Sequence, residues 1–145
     1  GFSFGSLICM QLIMRRPEVN KFIAIAPQPN VYDFTFLAPC PSSGQVVFGE
    51  KDELVSKESI NELNNRLKSQ KGIEVIFSEI KGANHFFKEK EEDLKKILNF
   101  KYSEILKPNP IDSYKTISMV DKIITAITAS FIMSWPLTPP INSGF

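Results

Sequence analysis

Gly1-Phe2-Ser3-Phe4-Gly5, running into Ser6-Leu7-Ile8-Cys9-Met10-Gln11-Leu12-Ile13-Met14, is the stretch on which the reading of this chain turns. The pentapeptide fits the pattern Gly-x-Ser-x-Gly, a sharp passage from strand to helix with the serine at its apex and its hydroxyl exposed. A Cβ at Gly1 or Gly5 is expected to collide with the neighbouring strand and helix. Ser3 would stand near a helix N-terminus, where backbone N–H groups favour developing negative charge. Five residues of this kind arise often, and a plain glycine-rich loop is the alternative. The nine residues that follow raise the stronger reading. They are apolar nearly all round, which predicts a helix buried on most of its faces. Arg15, Arg16 and Pro17 then supply cations at the negative end of the dipole and a breaker beyond it.

Outward from this turn the chain alternates strand and helix. Lys21-Phe22-Ile23-Ala24-Ile25-Ala26 is a short apolar run closed by Pro27 and reads as a buried strand. Residues 27–44 carry Pro27, Pro29, Pro39 and Pro41, which argues against regular structure there. Residues 45–49 form a second β-rich run. Ser56 suits an N-cap for a helix with Ile60, Leu63 and Leu67 inward, and Gly72 ends that region. Residues 73–80 alternate in part, as an edge strand does. A helix is expected from about Phe87 to Leu98, with Leu94, Ile97 and Leu98 inward. Alternating strands and helices imply an α/β fold with a parallel sheet and crossover helices.

In such sheets the ligand site lies beyond the carboxyl ends of the strands. Asp52 follows the strand at 45–49, His85 follows the strand at 73–80, and Ser3 opens the chain at the corresponding place. The gaps between them each leave room for a crossover. The chemistry of the three residue types is complementary. A serine hydroxyl needs a base to become a nucleophile at neutral pH. Histidine can take the proton and return it. A buried carboxylate holds the imidazole in the right tautomer and stabilises its cation. The backbone N–H of Phe4 would supply one oxyanion donor. Each residue also has an ordinary reading. A lone histidine is commonly a surface or hydrogen-bonded residue. Asp52 sits in the charged run Glu50-Lys51-Asp52-Glu53, where Glu50 is the competing carboxylate.

Four stretches carry a more specific likeness: residues 1–5, Ile25-Ala26-Pro27 through Leu37, Phe48-Gly49-Glu50-Lys51-Asp52-Glu53-Leu54-Val55, and Gly82-Ala83-Asn84-His85-Phe86-Phe87. The chain resembles the C-terminal half of a small bacterial α/β-hydrolase group, dienelactone-hydrolase-like and without an elaborate lid. The likeness covers roughly residues 1–100 and includes the chain order Ser, Asp, His. It implies Ser3 as nucleophile, Asp52 as acid and His85 as base, and a partial α/β-hydrolase fold with its N-terminal strands missing. The group commonly has aspartate where this chain has Asn84, a change expected to alter loop polarity only. Tyr32 to Leu37 are candidate substrate contacts, and the sequence assigns none. The resemblance also implies strands before the elbow, and an upstream loop giving the second oxyanion donor. Without them the chain alone is expected not to form a competent active site.

The 145 residues are 43% hydrophobic and 23% charged, an ordinary globular composition. Seventeen basic against 16 acidic residues leave a net charge of +1, with no global attraction to nucleic acid or anionic membrane. Two cysteines, Cys9 and Cys40, make no disulfide framework, and with one histidine they make no zinc site. No metal or other cofactor is expected. No apolar run reaches the roughly 18 residues needed to span a bilayer. No secretory signal is recognised, so a cytoplasmic location is expected. The start at Gly1 reads as processing or as a piece of a longer chain.

The sequence divides into residues 1–107, the hydrolase-like part, and 108–145, a tail outside the likeness. In the tail Ile117, Val120, Ile124, Ile127 and Phe131 recur at helical spacing, and Ser134 to Pro140 is Pro-rich. A missing front and an unrelated tail are what a split or degraded reading frame would leave. Two function classes remain. One is a serine hydrolase acting on a small ester or acyl substrate, with acyl transfer to another acceptor as a variant. The other is an inactive remnant or a binding module on the same scaffold.

Overall fold

The structure is a computed structural model and describes residues 1–16, 18–19, 21–105 and 125, with side chains through residue 98 and at Thr125. The chain divides into two units, Gly1–Ile97 and Leu98–Phe145. The first unit holds the helix α1 (Phe4–Ile13), the strands β1 (Lys21–Ile25) and β2 (Ser43–Gly49), the helix α2 (Lys57–Lys68) and the strand β3 (Val75–Ile80). Helix α3 (Glu91–Ile105) starts in the first unit and continues into the second. The expected linker at 107–110, the helix from 117 and the Pro-rich end lie outside the described residues, apart from Thr125.

Among the described residues, β1, β2 and β3 form one parallel sheet in that order. Gln45 pairs with Ile23 on one side and Ile76 on the other, so β2 is paired along both edges. That explains its near-complete burial, since a strand between two partners in a parallel sheet has few solvated groups. The crossover from β1 to β2 contains only a short 3-10 turn at Thr35–Leu37, as its prolines foretell. It is anchored from within: Phe34 and Leu37 are buried in the core. Of the candidate substrate contacts, those two therefore pack in the core.

One face of the sheet carries the main apolar cluster. Phe22, Ala24, Val46 and Val75 meet Leu7, Met10 and Ile13 of α1 and Leu63 and Leu67 of α2. Helix α2 is built as its sequence indicates. The Ser56 hydroxyl accepts from the Ser59 N–H, and Gly72 takes a φ of +84° beyond the end. Helix α1 departs from expectation. Leu7, Met10 and Ile13 are buried, but Phe4 (52% exposed), Ile8 (48%) and Leu12 (50%) line an open face. Its uniform hydrophobicity therefore marks two faces, only one of which is covered in this unit.

Other element boundaries also shift. β2 starts at Ser43 rather than 45, and β3 starts at Val75 rather than 73. Helix α3 starts at Glu91 rather than near Phe87 and continues to Ile105 rather than ending at 98. The late start has a backbone cause. Phe87 and Glu89 have φ of +56° and +63°, outside right-handed helix, and the Leu94 N–H bonds back to the Lys90 carbonyl as the first turn closes.

The glycines divide similarly. A Cβ on Gly1 would lie 2.1 Å from the Gly5 carbonyl oxygen, as expected, but one on Gly5 would meet nothing within 4 Å. A Cβ on Gly49, at the end of β2, would lie 2.4 Å from the Ala83 carbonyl oxygen. We expect Gly49→Ala to destabilise the chain by about 1–3 kcal/mol, since backbone must move. Gly5→Ala, in a helix with open space, should be neutral or stabilising by up to about 1 kcal/mol. Urea denaturation of the two variants checks both.

Candidate functional site

The site begins with the passage from Gly1 to α1. Ser3 has φ 52° and ψ −122°, a conformation an L-residue adopts only under constraint, at a cost of about 1–3 kcal/mol. The constraint is visible. The Gly1 nitrogen donates to the Ile23 carbonyl, Ile25 N–H to the Gly1 carbonyl, and Ser3 N–H to the Ile25 carbonyl, each at 2.8 Å. Residues 1–3 thus pair with β1 like the end of a further parallel strand, with a bridge between Phe2 and Ile25. From the far side, the buried Ser6 hydroxyl lies 2.9 Å from the Gly1 carbonyl oxygen and 3.0 Å from that of Ile25. The strained turn is clamped between the strand and the first turn of α1.

Asp52 and His85 arrive on the loops after β2 and β3. The two loops are stitched together by main chain: Glu50 N–H donates to the Ile80 carbonyl at 3.0 Å and Lys51 N–H to the Ala83 carbonyl at 2.9 Å. Gly49 lets them approach this closely. The structure brings all three sequence-derived residues into one chain of contacts. The Ser3 Oγ lies 3.0 Å from His85 Nε2, and His85 Nδ1 lies 2.8 Å from Asp52 Oδ2 and 3.0 Å from Oδ1. The side chains of His85 and Asp52 are 1% and 2% exposed. Asp52 Oδ1 also accepts from the Leu54 and Val55 N–H groups, at 2.9 and 3.1 Å. These contacts orient the Asp52 carboxyl toward Nδ1 of the ring, an arrangement in which a carboxyl oxygen accepts from the nitrogen that carries hydrogen.

Glu50 takes a different place from the one open to it in the sequence. Its Oε2 accepts from the Gly82 N–H at 2.8 Å rather than from the imidazole. Glu53 Oε2 accepts from the His85 backbone N–H at 3.4 Å. Three carboxylates of one short run therefore hold a single loop, and only Asp52 meets the ring. Asn84 Oδ1 accepts from the Lys88 N–H, a turn-closing role that an aspartate could equally fill. Phe4 opens α1, so its N–H is one of the first four that a helix leaves without an internal partner.

Sequence reasoning missed two contributions. Phe2 and Phe86 place their rings 5.5 and 5.2 Å from the imidazole, walling His85 with apolar surface. Their flanking positions beside Ser3 and His85 were the available signal. Gln28, just past β1, sets its Oε1 3.3 Å from the Ser3 Oγ. Nothing in the local sequence marks it, because the contact depends on the β1 register. Tyr32 reaches this region by packing on Phe4, with ring centroids 5.4 Å apart.

Other polar groups lie apart from these contacts. The Thr35 N–H and hydroxyl hold the exposed Asp33 carboxyl below its ordinary range. Burial pushes the Cys40 thiol up. Among the described residues no group of three potential metal ligands gathers, and no helix is long and apolar enough to cross a membrane.

No family model matches the chain. An uncharacterised protein of Rickettsia prowazekii is 48% identical over 103 residues, 68% of this chain and 43% of that one. Crystallographic similarity extends to a protein of unknown function from Agrobacterium tumefaciens, described as a candidate α/β-hydrolase. It is 47% identical with a TM-score of 0.68, over 72% of this chain and 49% of that one. An α/β serine hydrolase homologue from Coxiella burnetii is 31% identical, TM-score 0.57, over 67% and 44% of the two chains. A lidless α/β serine hydrolase from Xanthomonas campestris is 25% identical, TM-score 0.64, over 76% and 48%. The chain has the α/β-hydrolase fold in part, and spans a little under half the length of these relatives.

The hydrogen-bond geometry sets an expected ranking of stability. Asp52→Ala leaves His85 and two backbone N–H groups without their acceptor in a buried place, which should cost about 3 kcal/mol. Asp52→Asn keeps a carbonyl oxygen there and should cost clearly less. Chemical denaturation of both variants measures the difference.

Proposed function

We propose that this chain carries the reacting centre of a serine hydrolase acting on a small ester or related acyl substrate. One observation carries the reading: a serine on a strained turn within 3.0 Å of an imidazole whose other nitrogen rests 2.8 Å from a buried carboxylate.

The steps follow from those contacts. As the Ser3 oxygen bonds to the substrate carbonyl carbon, its proton passes to His85 Nε2. Asp52 stabilises the imidazolium so formed. The carbonyl oxygen becomes an oxyanion, and the Phe4 N–H at the positive end of α1 is a donor for it. On collapse, the bond to the leaving group breaks and His85 returns the proton to that group. An acyl ester of Ser3 remains. Water, giving a proton to His85 Nε2, then attacks this ester; the bond from the acyl carbon to Ser3 Oγ breaks, His85 returns the proton to that oxygen, and the acid leaves. Another hydroxyl or amine in place of water would give acyl transfer from the same intermediate. Neither a metal nor a cofactor enters the scheme.

The second reading is that the chain is silent by itself, as a remnant or a binding module. It is favoured by the open apolar face of α1 at Phe4, Ile8 and Leu12, which a partner could cover. A fluorophosphonate probe separates the two, because it phosphonylates only an activated serine. Because β1 already holds residues 1–3 and Ser3 Oγ lies 3.0 Å from His85 Nε2, we expect, contrary to the inactivity inferred from the missing upstream strands, a Ser3 adduct by mass spectrometry, none in Ser3→Ala, and labelling slowed about 100-fold or more in His85→Ala. An unlabelled wild-type chain that is folded by circular dichroism would establish the silent reading.

A further inference from the structure

The Gln28 side chain is held against the Ser3 hydroxyl. Its backbone carbonyl accepts from the Val31 and Tyr32 N–H groups, at 3.0 and 2.9 Å, which fixes the main chain just past β1 as a turn. From that fixed base the half-buried side chain reaches back to Ser3, with Oε1 3.3 Å from Oγ. The same Oγ lies 3.0 Å from His85 Nε2.

These two neighbours make conflicting demands. A serine hydroxyl carries one proton. With Asp52 accepting from Nδ1–H, the neutral imidazole presents a lone pair at Nε2, which needs that proton for the reaction to begin. The Gln28 carbonyl oxygen is also an acceptor. A hydroxyl donating to Gln28 is turned away from its base. The conflict ends when another donor occupies Gln28 Oε1. The acyl carbon bonds directly to Ser3 Oγ, so a carboxamide in hydrogen-bond reach of that oxygen is in contact range of the first substituents on the acyl group.

We propose that Gln28 is a specificity-determining residue, favouring acyl substrates that bear a hydroxyl or N–H donor next to the reacting carbonyl. Such a donor satisfies Gln28 and releases the Ser3 proton to His85. A plain alkyl acyl group leaves the competition in place. This inference rests on the hydrolase reading and assigns the substrate class of the same site.

The test compares acylation of the 145-residue chain by p-nitrophenyl acetate and p-nitrophenyl glycolate, which differ by one hydroxyl beside the carbonyl. Nitrophenolate release and the mass of the Ser3 adduct give the two rates in wild type, Gln28→Leu and Gln28→Glu. Taking the ratio of rates within each protein, then comparing proteins, removes the intrinsic reactivity of the esters. We expect the glycolate-to-acetate ratio to fall about tenfold in Gln28→Leu, as one hydrogen bond to substrate is lost. Acetate alone should react faster in Gln28→Leu, where the competing acceptor is gone, and slower in Gln28→Glu, where it is stronger. A ratio unchanged in Gln28→Leu, or both rates falling in proportion, overturns the role of Gln28 while leaving the hydrolase reading intact. Absence of any adduct in folded wild type overturns that reading and this inference with it.

Discussion

The pairing of residues 1–3 with the end of β1 is the constraint on which the rest depends. Three hydrogen bonds of 2.8 Å tie Gly1 and Ser3 to Ile23 and Ile25. They hold Ser3 in a backbone conformation that it would leave if free. They also set where α1 starts, and hence which of its residues reach the core. Ser6 closes the arrangement by bringing its hydroxyl to the Gly1 and Ile25 carbonyls. Removing this stitch would lower the local strain and lose the position of the serine together. Stability and site geometry are thus coupled at one turn.

The other half of the site follows a different logic. His85 is positioned mainly by the loop after β2, through Asp52 on its ring, Glu53 on its backbone and Glu50 three residues earlier at Gly82. These acceptors face N–H donors in a partly dry setting, where an unpaired group is costly. Phe2 and Phe86 complete the setting by shielding the imidazole. Mutual satisfaction of polar groups holds the two loops in register, with Gly49 permitting their close approach.

Much of this was legible along the chain because it is local. The capping of α2 by Ser56, the turn at Gly72 and the apolar runs of β1 and β2 depend on residues within a few positions of one another. The elbow pattern, with Asp52 and His85 just past two strands, marked the three residues that now lie in contact. What escaped was set by neighbours distant in sequence. The late start of α3 reflects positive φ at Phe87 and Glu89, forced by the loop that carries His85. The open face of α1 could not be told from its covered one, since both are apolar. The glycine at position 5 matched the pattern, yet nothing crowds it among the described residues.

The sequence by itself determined the alternation of strands and helices, and the serine, aspartate and histidine at their ends. Periodicity and chain order are one-dimensional properties, and both can be read without coordinates. Only the tertiary structure decided that Glu50 turns to the Gly82 N–H, and that Gln28 meets the serine. Those choices depend on strand register and loop approach over a few ångströms, and neighbouring residues of like chemistry are indistinguishable until the chain is folded.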